Sequence, residues 1–268
     1  MGTDTGTALV PANTQTGLRR RYGVIETVDD LSRFVVGWSV FFPALLSVVV
    51  LAFLMNPQRF LPYTNFMMKL GLGLLGMRLK VVNGHKVDPS RGYLVYCNHV
   101  SFLDPFIAQA VLSRYSVAIE KKENFKIPVY NWFLYAWGNI PIDRANLSSA
   151  KESYRLARER LGSGVNIGVM PEGTRTRNGQ LGPFKKGPFH MAIETQGQIL
   201  PLAMKGLWDC TNPNLGWRIK RGTVEMIFGD PIDCAGLTKD DVEELSHRVR
   251  SSLLTALDQQ DEQALAAR

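Results

Sequence analysis

The run GYLVYC-NHVSFLD, Gly92 to Asp104, decides how the chain is read. Gly92 to Cys97 is a short apolar segment ended by a polar turn, the pattern of a buried strand. From Phe102 to Leu112 the apolar residues recur at helical spacing. Asn98 and His99 therefore stand where a strand passes into a helix, and ligands of open α/β sheets bind at that carboxyl edge. Histidine exchanges its proton near neutral pH, with an ordinary pKa of about 6.5. Asp104 lies five residues on, and the bend into the helix can fold it back against the ring. A carboxylate so placed fixes the tautomer and stabilises the imidazolium that forms. No Ser or Cys occupies a nucleophile elbow beside it. A base without a nucleophile points to direct activation of a substrate hydroxyl.

Downstream, strands and helices alternate. Tyr115 to Ile119 is a candidate strand. Ser149 to Glu152 forms a capping box opening a helix through Leu161, with Tyr154, Ala157 and Leu161 on one face. Gly162 to Gly164 ends that helix. Strands are expected over 165–170, 199–204 and 223–228, and helices over 185–196 and 240–257. In the last helix Val242, Leu245, Val249 and Leu253 face inward. The class is α/β, a mixed, mostly parallel sheet flanked by helices. Three further segments carry potential chemistry. Met170 to Arg175 (MPEGTR) follows a strand and joins glycine, which permits close backbone approach, to an arginine fork suited to phosphate. Ile140 to Arg144 (IPIDR) and Ile199 to Leu202 (ILPL) are weaker signals alone.

Upstream, Phe34 to Met55 is a charge-free stretch of 22 residues, long enough to cross a bilayer as a helix. A secretory signal would be shorter and followed by a small-residue cleavage site. Asn56-Pro57-Gln58-Arg59 follows instead, so a retained anchor is expected, kinked at Pro43. Phe60 to Leu79 is less apolar and reads as interfacial. A single span and a two-helix hairpin dipped into one leaflet both fit. Positive charge flanks both sides (Arg19 to Arg21 and Arg33; Arg59 and Lys69), so charge asymmetry does not set orientation. The expected organisation is a disordered, basic tail over 1–33, a membrane-anchoring region over 34–79 and a catalytic domain over 80–268.

The net charge is +7 over 268 residues, which suits anionic membranes or phosphate-bearing substrates. No basic stripe interleaved with aromatics appears, so no nucleic-acid partner is expected. Cys97, Cys210 and Cys234 are odd in number and widely spaced, which argues against disulfides or structural zinc. No metal is expected.

In order along the chain, the four segments resemble the glycerophospholipid acyltransferase family, typified by the 1-acylglycerol-3-phosphate acyltransferases. Its blocks correspond to NHVSFLD (98–104), GNIPIDR (138–144), VMPEGTR (169–175) and ILPL (199–202), and the likeness covers roughly residues 80–230. Pro141 departs from the family's usual aromatic or aliphatic residue. The resemblance implies that His99 is the general base and Asp104 its orienting partner. It implies that Arg175 grips the acceptor phosphate, with Glu172, Gly173 and Thr174 shaping that site and Arg144 assisting. One of Lys121 and Lys122 corresponds to a phosphate-facing lysine. The implied reaction moves an acyl group from acyl-CoA or acyl carrier protein, as co-substrate and with no cofactor, to a lysophospholipid acceptor at a bilayer. The enzyme would be held on the inner or cytoplasmic membrane, or its equivalent, with the catalytic domain facing the cytosol. Glycerol 3-phosphate or another lyso-lipid is the alternative acceptor. Hydrolysis of acyl esters, and non-catalytic binding of anionic lipid, are the rival functions.

Overall fold

The structure, a computed structural model, describes residues 23–128, 130–143 and 147–261. The tail over 1–22 lies outside the described residues. In chain order the elements are α1 (Val24–Leu54), α2 (Leu61–Leu74), β1 (Met77–Val82), β2 (Leu94–Cys97), α3 (Asp104–Val111), β3 (Ser116–Lys121), α4 (Tyr130–Ala136), β4 (Ile140–Ile142) and α5 (Leu147–Gly162). Then come β5 (Asn166–Val169), α6 (Lys186–Thr195), β6 (Gln198–Lys205), α7 (Leu207–Thr211), β7 (Gly222–Phe228), β8 (Ile232–Asp233) and α8 (Val242–Leu257).

The sheet runs β1-β7-β6-β2-β5-β3-β4, with β8 also pairing β6. β6, β2, β5, β3 and β4 are mutually parallel. β7 meets β6 antiparallel and carries β1 parallel to itself. The sheet is thus mixed and mostly parallel, as its alternation with helices implies. The carboxyl ends of β2, β5, β3 and β4 share one edge, which brings the first three sequence blocks together. The fourth does something else. Ile199, Leu200 and Leu202 are fully buried in β6 at the sheet centre. Pro201, which lacks an N–H, falls where β6 changes partner from β8 to β7.

Several boundaries differ from the sequence reading. β1 begins at Met77, so the sheet starts before residue 80 and the second apolar helix stops at Leu74. α5 begins at Leu147, so Ser149 is helical and not an N-cap; nothing in Leu147-Ser148-Ser149 breaks a helix. β4 went unseen because it has three residues and contains a proline, which is tolerated since β4 is an edge strand.

α1 starts ten residues before the apolar stretch, so 24–33 is helix and not tail. A polar network fixes those turns to the segment before β7. Arg33 pairs with Asp29 (3.1 Å) and Asp30, and donates to the carbonyl of Ile219 (3.0 Å). Arg218 and Arg221 reach back to Asp30 and Asp29, each at 2.6 Å. α1 continues unbroken across Pro43.

α2 returns antiparallel along α1, bringing Gly37 to Leu75, Phe41 to Gly71 and Ser47 to Tyr63. A Cβ on Gly71 would lie 2.6 Å from the Phe41 ring, so glycine sets how closely the helices approach. α2 is pinned to α3 by Asn65, which donates to the Leu112 carbonyl (3.0 Å). At the hairpin tip Phe60 packs edge-on to Trp137. The hairpin thus lies along one face of the α/β unit from the carboxyl edge to the opposite end. α1 is long and apolar enough to cross a membrane. Its outer face exposes Val28, Val35, Phe42, Leu46, Val50 and Phe53.

Candidate active site

The turn after β2 places His99 Nδ1 2.6 Å from Asp104 Oδ2. Asp104 is the first residue of α3 and is completely buried. Its Oδ2 also accepts the Val100 amide and its Oδ1 the Ser101 amide, both at 2.8 Å. Burial pushes this carboxyl above the ordinary range, while the His99 hydrogen bond and the two amides pull it back down. With Asp104 accepting at Nδ1, the neutral ring keeps its lone pair on Nε2. His99 itself is partly exposed, as a base that meets substrate must be.

Glu172 braces the same turn. Its Oε1 accepts the His99 amide (2.6 Å) and its Oε2 accepts the Gly182 amide (2.7 Å). Burial raises its carboxyl, opposed by those two amides. Both oxygens are therefore occupied by backbone, and Glu172 joins two loops beside the hollow that Arg175 lines. Gly173 sits at φ +71°, a left-handed turn position that favours glycine. Thr176 N donates to the His99 carbonyl at 2.8 Å, so the two blocks are stitched together by both backbone and side chain. Asn98 bonds both backbone groups of Met204 on β6.

Thr174 and Arg175 are exposed and line a polar hollow of about 390 Å³, together with Arg177 and Lys185. None of these three cations has an ion pair among the described residues. Arg250 and Gln259 hold the far wall. The buried Arg250 donates to the Gly182 carbonyl (2.7 Å), and Gln259 accepts the Leu181 amide (2.9 Å). Lys122, just after β3, lies 3.7 Å from Asp143 of the second block, while Lys121 at the end of β3 pairs with Glu123 at 3.6 Å. Both lysines are exposed. Arg144 lies outside the described residues.

On the other side of the His99 turn is an apolar cavity of about 320 Å³. It begins at Cys97, Phe102 and Met170 on the carboxyl edge, passes Gly168, and runs between the sheet and the hairpin to Val48, Thr64 and Leu112. Trp38, Phe41 and Phe42 of α1 line it. The Cys97 thiol is buried and its pKa is driven far up by desolvation, so it is a core group and not a nucleophile.

Sequence alone had found the dyad and the arginine. It missed Lys185, Arg177, Arg250 and the aromatic wall contributed by α1. The wall's signal was present as the helical spacing of Phe34, Trp38, Phe41 and Phe42 in a charge-free stretch.

A His–Asp pair thus stands at the carboxyl edge of a mixed α/β sheet, with a cationic hollow on one side and an apolar cavity on the other. Residues 78–205 match the family model described as Acyltransferase, and the chain belongs to that family. It is 36% identical over 185 residues to human 1-acyl-sn-glycerol-3-phosphate acyltransferase alpha, across 68% of this chain and 64% of that protein. It is 29% identical over 187 residues to the 1-acyl-sn-glycerol-3-phosphate acyltransferase of Saccharomyces cerevisiae, across 69% of this chain and 61% of that one. These matches span just under two thirds of the relatives' own lengths. The fold is that of the crystal structure of the 1-acyl-sn-glycerophosphate (LPA) acyltransferase PlsC from Thermotoga maritima, with a TM-score of 0.72 and 24% identity. That likeness covers 90% of this chain and 98% of the other.

Replacing Arg175 by Ala removes a cation from the hollow without touching the dyad. The expected result is a KM for phosphorylated acceptor raised roughly 10- to 100-fold, as for one lost charge-assisted hydrogen bond, with kcat changed far less. Steady-state kinetics with the acceptor varied check this.

Proposed function

We propose that this protein transfers a fatty acyl group from a thioester donor to the free hydroxyl of 1-acylglycerol-3-phosphate, giving phosphatidic acid. The observation that carries this reading is the His99–Asp104 pair set between the cationic hollow and the apolar cavity. A phosphate held by Arg175 and its neighbours presents a nearby hydroxyl to Nε2, while an acyl chain in the cavity brings its carbonyl to the same edge.

The hydroxyl proton passes to His99 Nε2 as the oxygen forms its bond to the thioester carbon. The tetrahedral intermediate then collapses with rupture of the C–S bond, and the imidazolium proton goes to the leaving thiolate. Products are an ester and a free thiol, and His99 is neutral again. Asp104 stabilises the transient imidazolium. No acyl-enzyme, metal or cofactor takes part. Acyl-CoA and acyl carrier protein are the two donor classes.

The hairpin sits in one leaflet of the membrane, with the apolar outer face of α1 in lipid. In support, both ends of the hairpin return to the catalytic unit: Arg33 at the carboxyl edge, and Phe60 on Trp137 at the far end. Three free cysteines suit the reducing, cytosolic side.

The test is detergent-solubilised protein with oleoyl-CoA and a panel of acceptors: 1-acylglycerol-3-phosphate, glycerol 3-phosphate and unphosphorylated monoacylglycerol. Phosphatidic acid from the first, at rates far above the other two, is expected. Preference for either of the others would reassign the acceptor.

The cavity also makes a prediction about the acyl chain. A Cβ at Gly168 would meet only the Val117 carbonyl, at 3.7 Å, so a larger residue fits the backbone there and fills the cavity midway. Gly168→Val should shift preference toward shorter acyl donors while the protein remains folded. Competition between C10 and C18 acyl-CoA, read by lipid mass spectrometry, checks it; an unchanged product ratio counts against the cavity as the acyl site.

A further inference from the structure

Two exposed phenylalanines stand at the rim of the apolar cavity. Phe102 lies between His99 and Asp104 in the turn that carries the base, and it is 55% exposed. Phe42 of α1 is 58% exposed. Both also line the cavity. Trp38 ties them into one surface, stacking with Phe42 at 4.8 Å between centroids and with Phe102 at 5.9 Å. A half-bare aromatic ring gains free energy from any apolar group that covers it. Phe102 sets such a ring beside the chemistry.

Phe42 joins this rim to a longer surface. Val28, Val35, Phe42, Leu46 and Phe53 are all exposed, and their spacing puts them on one stripe of α1. That stripe is the face assigned above to lipid. An apolar path therefore leads from the bilayer along α1, over Phe42 and Phe102, to His99.

The proposed reaction brings two acyl chains to this edge, and the donor's fills the cavity. The acceptor carries its phosphate on one terminal carbon of glycerol and its own chain on the other, with the reacting hydroxyl between them. When the phosphate is in the cationic hollow and the hydroxyl is at Nε2, that chain leaves away from the hollow. Phe102 stands on that side, among the cavity residues and not among those of the hollow. We propose that Phe102 and Phe42 hold the acceptor's own acyl chain across the cavity rim, and so set the preference for a lysolipid over glycerol 3-phosphate. This rests on the reading of 1-acylglycerol-3-phosphate as acceptor. The remainder of the chain stays in the bilayer, so the acceptor reacts without leaving the membrane.

The test varies the two chains separately. With oleoyl-CoA fixed, kcat/KM is measured for 1-butanoyl- and 1-oleoylglycerol-3-phosphate in the same detergent micelles. Phe102→Ser and Phe42→Ser should each lower the oleoyl-to-butanoyl ratio about five- to tenfold relative to wild type, the worth of covering one half-exposed ring. With 1-oleoylglycerol-3-phosphate fixed, the ratio of C18 to C10 acyl-CoA should change less. A diazirine in the first carbons of the acceptor's chain should label Phe102 or Phe42 in wild type, a result that does not depend on how the variants fold. An unchanged acceptor ratio in both variants would overturn the assignment. A larger loss in the donor ratio would overturn it too, giving the rim to the donor, as would labelling of Val95 and Gly168 inside the cavity. In each of these cases the acceptor reading still stands. If wild type acylates neither lysophosphatidate, that reading falls and takes this assignment with it.

Discussion

His99→Ala is expected to abolish acyl transfer while leaving the protein folded. General base catalysis by a positioned side chain contributes about 10²–10⁴-fold, and the mutant forfeits all of it. The fold should survive for a specific reason. The ring is partly exposed, and its loss leaves Asp104 still accepting from Val100 and Ser101. The backbone of residue 99 keeps its bonds to Glu172 and to Thr176. The turn is thus held by groups the substitution does not remove. Circular dichroism and a thermal melt should match wild type while phosphatidic acid formation falls to background. Retained turnover would remove His99 from the mechanism.

Asp104→Asn should be nearly as severe, with a different signature. The carboxylate accepts three hydrogen bonds, from His99 Nδ1, Val100 N and Ser101 N, and donates none. A carboxamide has one oxygen. If its oxygen faces His99 and Val100, its NH₂ opposes the Ser101 amide, donor against donor. If it turns over, its NH₂ faces His99, which must then carry its proton on Nε2 and can no longer accept one there. The first arrangement costs stability, and the second removes the base. By analogy with the loss of the orienting carboxylate in a serine hydrolase triad, kcat should fall about 10³–10⁴-fold. Stability should fall as well, by about 1–3 kcal/mol for the unmet buried donor. A urea melt beside the kinetic assay separates the two effects, because His99→Ala should show the first without the second. A variant with normal kcat would show that the tautomer argument is wrong.

What sequence could reveal followed from distance along the chain. His99 and Asp104 are five residues apart and meet through one turn, so their pairing was legible before any fold was known. The strands of the sheet interior were legible because they are unbroken apolar runs between turn signals. β1 was not, since its residues alternate between exposed and buried and continue directly from the apolar helix before it. β4 was hidden by its length and its proline. The longer-range parts of the site were beyond reach for the same physical reason. Glu172 clasps the His99 amide across 73 residues, and Arg250 supports the Gly182 loop across 68. Nothing local in either segment encodes that meeting. Glu172 illustrates this: sequence assigned it a part in shaping the Arg175 site, and the structure shows how, with both its oxygens on backbone amides of two loops. The charge-free stretch was legible as a long apolar helix, but its inner face, where Trp38 meets Phe102, emerged only when the hairpin was laid against α3.

The central claim is direct transfer from donor to acceptor by a base, without an acyl-enzyme. It is tested most directly by counting free thiol and phosphatidic acid in one tube, with oleoyl-CoA in excess and 1-acylglycerol-3-phosphate absent or present. The account predicts no thiol release without acceptor and, with it, one phosphatidic acid for every thiol. A burst of thiol equal to the enzyme concentration in the absence of acceptor, or steady release without lipid product, would contradict it.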